Sequence, residues 1–240
     1  MLYYLLSDIN SKLFTLYTAL CNANSAMANL WFALCVVICI VIPYLLGSLN
    51  FGVIISGKIY KDDVREHGSG NAGTTNMLRN YGKRAGVMTL LGDMLKTAVA
   101  CAVGAFVGPY YYGLYIAGLF CIMGHMFPVF FKFKGGKGIA CLAMMVLMTD
   151  LRAFAFLIVA FLIIVAGTKF VSLGSVICAM MYPVVLNRVN HEVPFGWLIA
   201  TIVAVLVVYM HRENIKRLIA GNENKLSFKK KTPENDTEEK

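Results

Sequence analysis

The sequence predicts an all-α integral membrane protein with seven transmembrane helices, an N-terminus outside the cell and a C-terminus in the cytoplasm. The first observation is composition: 58% of the 240 residues are hydrophobic and 15% are charged, against roughly 25% charged in an average soluble domain. The second is a series of apolar segments separated by polar stretches. The third is an uneven distribution of lysine and arginine, which explains the net charge of +9 better than nucleic-acid binding does.

Seven apolar segments are the candidate spans, and several are shorter than the roughly 20 residues that a straight spanning helix needs. Asp150 and Arg152 interrupt the apolar run 139–168, which we therefore interpret as a helical hairpin with a tight turn. One long helix is the alternative interpretation. The segments are 30–57, 85–107, 110–131, 139–149, 153–168, 170–187 and 195–210.

Lysine and arginine residues fall mostly on the side that this topology places in the cytoplasm, as the positive-inside rule requires. Of the 22 such residues, Lys12, Arg152 and Arg188 fall outside and Lys96 falls within a span. Merging 139–168 into one span would break this asymmetry. The charges therefore favour seven spans.

The two ends of the chain differ from the membrane domain, which we expect to cover residues 30–225. Residues 1–29 are amphipathic and interrupted by polar residues, which favours an interfacial helix over an eighth span. Residues 226–240 are charged and lack apolar anchors, so they are predicted to form a disordered cytoplasmic tail.

The first of four polar segments on the inner side is REHGSGNAGTTNMLRNYG, residues 65–82. Glycines permit close backbone approach, and successive N–H groups in such loops bind anions. Arg79 adds a permanent, fork-shaped cation. A connector with turn glycines and helix caps is the plainer alternative. The candidate residues are Gly68, Ser69, Gly70, Asn71, Gly73, Thr75, Asn76 and Arg79.

The second polar segment is HMFPVFFKFKGGKGIA, residues 125–140. Its lysines flank glycines directly before an apolar helix, and a glycine loop at a helix N-terminus favours an anion. The spacing is not that of a P-loop. Lysines that merely obey the positive-inside rule are the alternative. The candidates are Lys134, Gly135, Gly136, Lys137 and Gly138.

The third and fourth segments are TKFVSLGSV and HRENIKRLIAGNENK. Ser172 and Ser175 begin a span, where helix caps or packing groups are the ordinary interpretation. His211 and Asn214 share a helix face, with a juxtamembrane basic helix as the alternative. Arg217 extends the neighbouring face.

Three further groups have an expected role. Asp93 and Lys96 are spaced to pair within a span, and we interpret the pair as a structural support beneath the site. His67 and His125 are possible acid–base groups. For His125, which precedes an aromatic–proline run, an interfacial hydrogen-bonding role is the more ordinary interpretation.

Several active-site signatures are absent from the sequence. No histidine begins an H-x-x-x-x-D motif, and there is no G-x-S-x-G elbow, Walker motif or metal-ligand cluster. We therefore expect neither a metal nor a cofactor. Cations outnumber carboxylates in the inner loops, which predicts a site for anions, more than one phosphate among them, next to lipid.

Five stretches resemble, in order, the motifs of the acyl-phosphate:glycerol-3-phosphate acyltransferases, a family of bacterial inner-membrane enzymes. The likeness covers about residues 30–225, whereas the first 28 residues have no counterpart. Thr74 stands where many relatives carry alanine. The stretches are GSLNFG (47–52), REHGSGNAGTTNMLRNYGKRAG (65–86), GHMFPVFFKFKGGKGIA (124–140), KFVSLGS (169–175) and HRENIKRL (211–218).

The resemblance implies a seven-helix protein of the inner membrane whose active site faces the cytoplasm. It implies transfer of a fatty acyl group from acyl phosphate to the 1-hydroxyl of glycerol 3-phosphate, giving 1-acylglycerol 3-phosphate and phosphate. This is the first acylation of bacterial phospholipid synthesis. The implied partners are the two substrates, membrane lipids and the soluble enzyme that makes acyl phosphate.

The resemblance also implies residue roles. The first segment would cradle a phosphate, Arg79 with Lys137 or Lys134 would neutralise substrate phosphates, and His211 and Asn214 with one serine would complete the pocket. No acyl-enzyme is expected. The implied catalytic residues are Ser69, Arg79, Lys137, His211 and Asn214. The implied binding residues are Gly68, Gly70, Asn71, Gly73, Thr75, Asn76, Lys134, Gly135, Gly136, Gly138, Ser172 and Ser175.

An anion or phosphate transporter is the alternative function, because it could use the same glycine loops. Transporters of this kind commonly contain internal repeats and place their sites at mid-membrane. The two halves of this sequence show no repeat, and the polar segments collect on one face. These features favour the enzyme.

Overall fold

The computed structural model describes residues 15, 19, 25–108, 112–190, 193–194 and 196–226. The predicted interfacial helix over residues 1–29 lies almost wholly outside these residues, and the predicted tail over 226–240 does so beyond Leu226.

The described residues are helical or irregular and contain no strand, which confirms the all-α prediction for this part of the chain. Three short turns complete the picture: a π-helical turn at Ser56–Tyr60 and 3₁₀ turns at Val64–Glu66 and Val129–Phe131. The α-helices are α1 (Ser25–Ser48), α2 (Phe51–Ile55), α3 (Thr74–Tyr81), α4 (Lys83–Val107), α5 (Tyr112–Met126), α6 (Ile139–Thr149), α7 (Leu151–Thr168), α8 (Val171–Val189), α9 (Gly196–Met210) and α10 (Arg212–Ile219).

Five helical segments among the described residues are long and apolar enough to cross a membrane. They contain α1, α4, α5, α7 and α8. A sixth is added if α9 and α10, bent by 59° at His211, count as one span. The apolar helix α6 has 11 residues and therefore rises only about 16 Å, roughly half of a hydrocarbon core.

The predicted break in the apolar run 139–168 is confirmed. Asp150 adopts an extended conformation, ends α6 and caps α7, where its Oδ1 accepts hydrogen bonds from the backbone N–H groups of Arg152 at 2.8 Å and Ala153 at 3.1 Å. The Arg152 guanidinium donates to the Asp150 Oδ2 at 2.8 Å. One aspartate at an N-cap position thus divides the run into two helices.

The helices approach closely through small residues, as membrane helices do. The Cα of Gly47 on α1 lies against the backbone of Cys121 on α5, and Gly124 on α5 lies against the backbone of Tyr44 on α1. A methyl group at either glycine would overlap the facing carbonyl. An apolar core of α5, α6, α8 and α9 adjoins this pair and includes the buried Tyr182.

Candidate active site

A cavity of about 520 Å³ brings the four polar segments together. Most of the polar lining comes from loops, short helices and helix ends, although Asp93 lies within α4. The apolar lining comes from the interior of α4, α6, α7 and α8 and includes Met94, Val146, Phe161 and Cys178. The predicted site residues that line it are Ser69, Asn71, Gly73, Thr75, Asn76, Arg79, Lys137, Gly138, Ser172, Ser175, His211 and Asn214.

The first polar segment is folded around the side chain of Asn76. The Asn76 amide donates to the carbonyls of Val64, His67 and Asn71 at 2.9–3.0 Å, and its Oδ1 accepts from the Ser69 N–H at 3.1 Å. Asn76 is 2% exposed, and this network uses both ends of its amide. Its place in the site is therefore that of a brace for the loop.

Arg79 projects from α3, which begins directly after the glycine loop. The Asn71 Oδ1 accepts from the Gly73 N–H at 3.0 Å and shapes the entry to the helix. Burial lowers the pKa of the Arg79 guanidinium, an effect that the Glu223 carboxylate opposes. A guanidinium remains charged under such a shift, so the cavity contains a partly desolvated, permanent cation.

The second polar segment places Lys137 beside the last helix. Gly138, at φ 80°, leads into α6, and the Lys137 ammonium donates to the Asn214 Oδ1. Burial is the main cause that lowers the pKa of Lys137 to about 8, with Arg217 and Arg79 adding repulsion and Glu223 opposing it. The amine is thus held where its protonation state changes near neutral pH.

Five predicted binding residues lie outside the cavity lining. Gly68 and Gly70 have φ of 59° and 66° and form the turn of the first loop. Gly136 donates its N–H to the His125 carbonyl at 3.0 Å and packs on the His125 ring, and Gly135 packs on the same carbonyl. Lys134 is exposed.

A buried charged group supports the second loop. The predicted pairing of Asp93 and Lys96 is confirmed, with 2.7 Å between the Asp93 Oδ1 and the Lys96 Nζ. The Lys96 ammonium also donates to the Gly47 and Leu49 carbonyls and lies 3.0 Å from the His125 Nδ1.

The hydrogen-bonding role expected for His125 is confirmed, with partners in the protein interior. This histidine is 2% exposed. It can be buried because the Asp93 carboxylate and the Lys96 ammonium on α4 provide polar partners for its ring. Both His125 and Asp93 line the cavity. His67, by contrast, contacts Asp62 at 3.0 Å on the surface and is not part of the cavity lining.

Glu223 is the site residue that the sequence analysis missed. Its Oε1 accepts from the Ser172 hydroxyl at 2.8 Å and the Asn214 amide at 2.6 Å, and its Oε2 accepts from the Arg217 Nε at 2.8 Å. Burial opposes ionisation, but these three hydrogen bonds outweigh it and lower the pKa of Glu223. The available clue was an acidic residue between two asparagines, just after the helix stop signal at Gly221 (φ 73°).

Residues 221–226 form a strap across the cavity, and Glu223 is its anchor. Glu223, Asn224 and Leu226 line the cavity, and the Leu226 N–H donates to the Lys169 carbonyl at 2.7 Å. Ser175, on the first turns of α8, donates its hydroxyl to the Val171 carbonyl at 2.8 Å. The strap therefore ties α10 to the start of α8.

His211 occupies the bend between α9 and α10. Its Nδ1 lies 2.8 Å from the Val207 carbonyl, and because a carbonyl can only accept, Nδ1 carries the proton. The neutral ring then has Nε2 as its acceptor nitrogen. His211 lines the cavity, so the site contains a group able to accept a proton.

The charges in the lining suit an anionic ligand. Arg79, Lys137 and Arg217 are cations, while Asp93 is paired with Lys96 and Glu223 is paired with Arg217. The described residues contain no group of His, Cys, Asp and Glu that could hold a metal ion. The surplus of positive charge meets apolar walls in one cavity.

The chain is similar to known proteins in sequence and in fold. A glycerol-3-phosphate acyltransferase from Coxiella burnetii (strain Dugway 5J108-111) is 36% identical over 195 residues, which cover 80% of this chain and 98% of the relative. One from Bacillus subtilis (strain 168) is 38% identical over 190 residues, which cover 79% of this chain and 96% of the relative. Two crystal structures of PlsY, an integral membrane glycerol 3-phosphate acyltransferase, are 34% identical, with TM-scores of 0.72 for the glycerol 3-phosphate form and 0.70 for the lysophosphatidic acid form. Each covers 80% of this chain and 96% of the solved chain.

The family model described as glycerol-3-phosphate acyltransferase matches residues 37–221. This range contains all four polar segments up to the Gly221 that ends α10. By sequence and by fold, the chain belongs to the glycerol-3-phosphate acyltransferase family of integral membrane enzymes.

Proposed function

We propose that the protein transfers a fatty acyl group from acyl phosphate to the 1-hydroxyl of glycerol 3-phosphate. The products are 1-acylglycerol 3-phosphate and inorganic phosphate, and the reaction is the first acylation of bacterial phospholipid synthesis. One observation carries the proposal: the three cations Arg79, Lys137 and Arg217 open onto the same cavity as apolar residues of α4, α6 and α7. Both substrates carry a phosphate, and one carries an acyl chain.

The predicted residues take the following roles in this proposal. Arg79 and Lys137 neutralise the substrate phosphates, with the side chains of Ser69, Asn71 and Thr75 as hydrogen-bond donors and Gly73 at the entry to α3. Ser172, Ser175, His211 and Asn214 form the opposite wall. Asn76, Gly68, Gly70, Lys134, Gly135, Gly136 and Gly138 shape the two loops.

The chemistry is a direct displacement. The hydroxyl oxygen of glycerol 3-phosphate attacks the acyl carbonyl carbon, the carbon–oxygen bond to phosphate breaks, and phosphate leaves with its electron pair. The hydroxyl proton goes to the His211 Nε2 or to a phosphate oxygen of the substrate. Because acyl phosphate is an activated anhydride, positioning and charge stabilisation suffice without a covalent nucleophile.

The membrane arrangement belongs to the same proposal. The chain crosses the inner membrane seven times within residues 30–225, with the N-terminus outside and the polar segments and C-terminus in the cytoplasm, as the distribution of lysine and arginine supports. The short α6 leaves the loop before it below the membrane surface, so the site adjoins both lipid and cytoplasm. A soluble enzyme that makes acyl phosphate would supply the donor from the cytoplasm.

The test is a reconstituted assay of the full chain in detergent. Palmitoyl phosphate with glycerol 3-phosphate should yield 1-acylglycerol 3-phosphate and one phosphate per turnover, whereas palmitoyl-CoA should give no product because the H-x-x-x-x-D motif of CoA-dependent enzymes is absent. No phosphate release from the folded protein would defeat the proposal. Isolation of an acylated serine or cysteine would defeat the direct displacement.

A further inference from the structure

Arg65 connects the first polar loop to the second, although it lies outside the cavity lining. Its Nη1 donates to the carbonyls of Phe131 at 3.1 Å and Lys134 at 3.2 Å. These acceptors are 66 and 69 residues away in the chain. The guanidinium carbon also lies 5.9 Å from the centre of the Phe131 ring.

Asp63 fixes the Arg65 side chain in the first loop. The Arg65 Nε donates to the Asp63 Oδ1 at 2.9 Å, and Nη2 donates to Oδ2 at 2.7 Å. The Asp63 Oδ1 also accepts from the Arg65 N–H at 3.0 Å. The Nε–Nη2 edge of the guanidinium therefore forms a bidentate pair with Asp63, and Nη1 donates to the second loop.

The two carbonyls that Arg65 binds bracket a strained turn. Lys132 and Phe133 lie between them and have φ of 55° and 58°, a left-handed conformation that is unfavourable for a bulky side chain. Such residues persist only where the surrounding structure holds them. Arg65 supplies charge-assisted hydrogen bonds at both ends of the turn.

The strained turn directly precedes the segment that carries Lys137. The Gly136 N–H donates to the His125 carbonyl at 3.0 Å, and Arg65 holds the carbonyls of Phe131 and Lys134. Arg65 and His125 therefore act together on the backbone that leads to Lys137. Loss of the Arg65 contacts would free the carbonyls of Phe131 and Lys134, so that only the Gly136 hydrogen bond would still hold this loop in place.

We propose that Arg65 is a positioning residue for acyl transfer, which holds the Lys132–Phe133 turn and thereby places Lys137 in the phosphate site. This inference rests on the proposed function. A lysine at position 65 cannot replace the fork, because a single ammonium has no planar geometry with which to hold a carboxylate and two carbonyls together.

Hydrogen exchange of the full-length protein in detergent tests the positioning without reference to catalysis. In Arg65→Ala, amides of residues 131–138 should exchange faster by on the order of tenfold, while amides within α7 and α9 keep their rates. Arg65→Lys should show the same local effect at smaller size. Two results for Arg65→Lys would overturn the inference even if Arg65→Ala fails to fold. One is an unchanged exchange rate at residues 131–138. The other is faster exchange in the helices without a faster rate at residues 131–138.

Kinetics with palmitoyl phosphate and glycerol 3-phosphate provide the second test. Arg65→Ala and Arg65→Lys should raise KM for a phosphate substrate, with Arg65→Ala at about tenfold, and should change kcat less than KM. The control is Arg84→Ala, an exposed arginine at the start of α4, which should match the wild type. If the wild-type protein is inactive, the proposed function fails. If the wild type is active and both Arg65 variants have its KM, only the positioning role fails.

Discussion

The Lys137 ammonium donates a hydrogen bond to the Asn214 Oδ1, and this contact joins the loop before α6 to α10 across 77 residues of sequence. The Asn214 amide donates in turn to Glu223. Asn214 is thus the link between a cation of the proposed phosphate site and the carboxylate of the strap, and each of these three residues can be tested separately.

Asn214→Ala should lower kcat/KM by roughly tenfold to a hundredfold, because two hydrogen bonds to charged groups disappear together. Steady-state assays with both substrates measure the effect. Asn222→Ala is the matched control, since Asn222 is an exposed asparagine of the same segment and should behave as wild type. Equal activity of the two variants would remove Asn214 from the site.

Arg79→Ala should reduce turnover by roughly a hundredfold or more while the protein stays folded, because the permanent cation next to the developing phosphate charge is lost. The other two cations of the lining have protein partners, Lys137 with Asn214 and Arg217 with Glu223. Arg79→Lys should recover only part of the loss, since lysine lacks the fork. Turnover numbers and size-exclusion profiles of both variants check this. Wild-type turnover in Arg79→Ala would contradict the assigned site.

Affinity for phosphate substrates should fall as pH rises through about 8, the pKa of Lys137. The lowered pKa means that the ammonium is present below about pH 8 and lost above it, whereas an ordinary lysine would lose its charge only near pH 10.5. Bound phosphate would stabilise the charged form, so KM is the quantity to follow. In Lys137→Arg the alkaline rise in KM should disappear; a rise that persists would assign it to another group.

Glu223→Ala should lower the melting temperature by roughly a few degrees, because three hydrogen-bond donors lose their acceptor. Glu223→Gln keeps an oxygen that can accept from Ser172 and Asn214 but loses the charge facing Arg217, so its melting temperature should lie between those of wild type and Glu223→Ala. Thermal unfolding in detergent, together with hydrogen exchange at residues 221–226, measures both effects. Identical values for Gln and Ala would mean that only the charge matters.

Gly136→Ala should impair activity, because the new methyl group would meet the His125 ring, whose Cε1 lies 2.9 Å from the Cβ position. The ring cannot yield easily while it contacts Lys96 and Asp93. Gly57→Ala is the control, since no atom lies within 4 Å of its Cβ position. A Gly136→Ala enzyme with wild-type kcat/KM would show that the loop tolerates displacement.

The sequence predicts those parts of the molecule that depend on local signals. Asp150 could be identified as a helix break because an aspartate inside an apolar run has an obvious capping role. The meeting of the four polar segments in one cavity could be predicted because each of them is recognisable from its own polar residues.

Long-range pairing is what the sequence does not reveal. Glu223 resembles any polar residue that follows a basic helix until the fold brings it to Ser172, 51 residues earlier. His125 resembles an interfacial histidine because its partners, Asp93 and Lys96, lie on another helix. The number of membrane crossings is equally hard to read from composition, since α6 is apolar but short.

The strap also sets a practical boundary for inhibitor discovery. A variant truncated before Gly221 would leave Ser172, Asn214 and Arg217 without the carboxylate that they contact, so compounds selected against it would be fitted to an altered cavity. Screening proteins should therefore retain the chain through Leu226, whose N–H closes the strap onto Lys169. Any affinity handle at this end should be attached well beyond that residue.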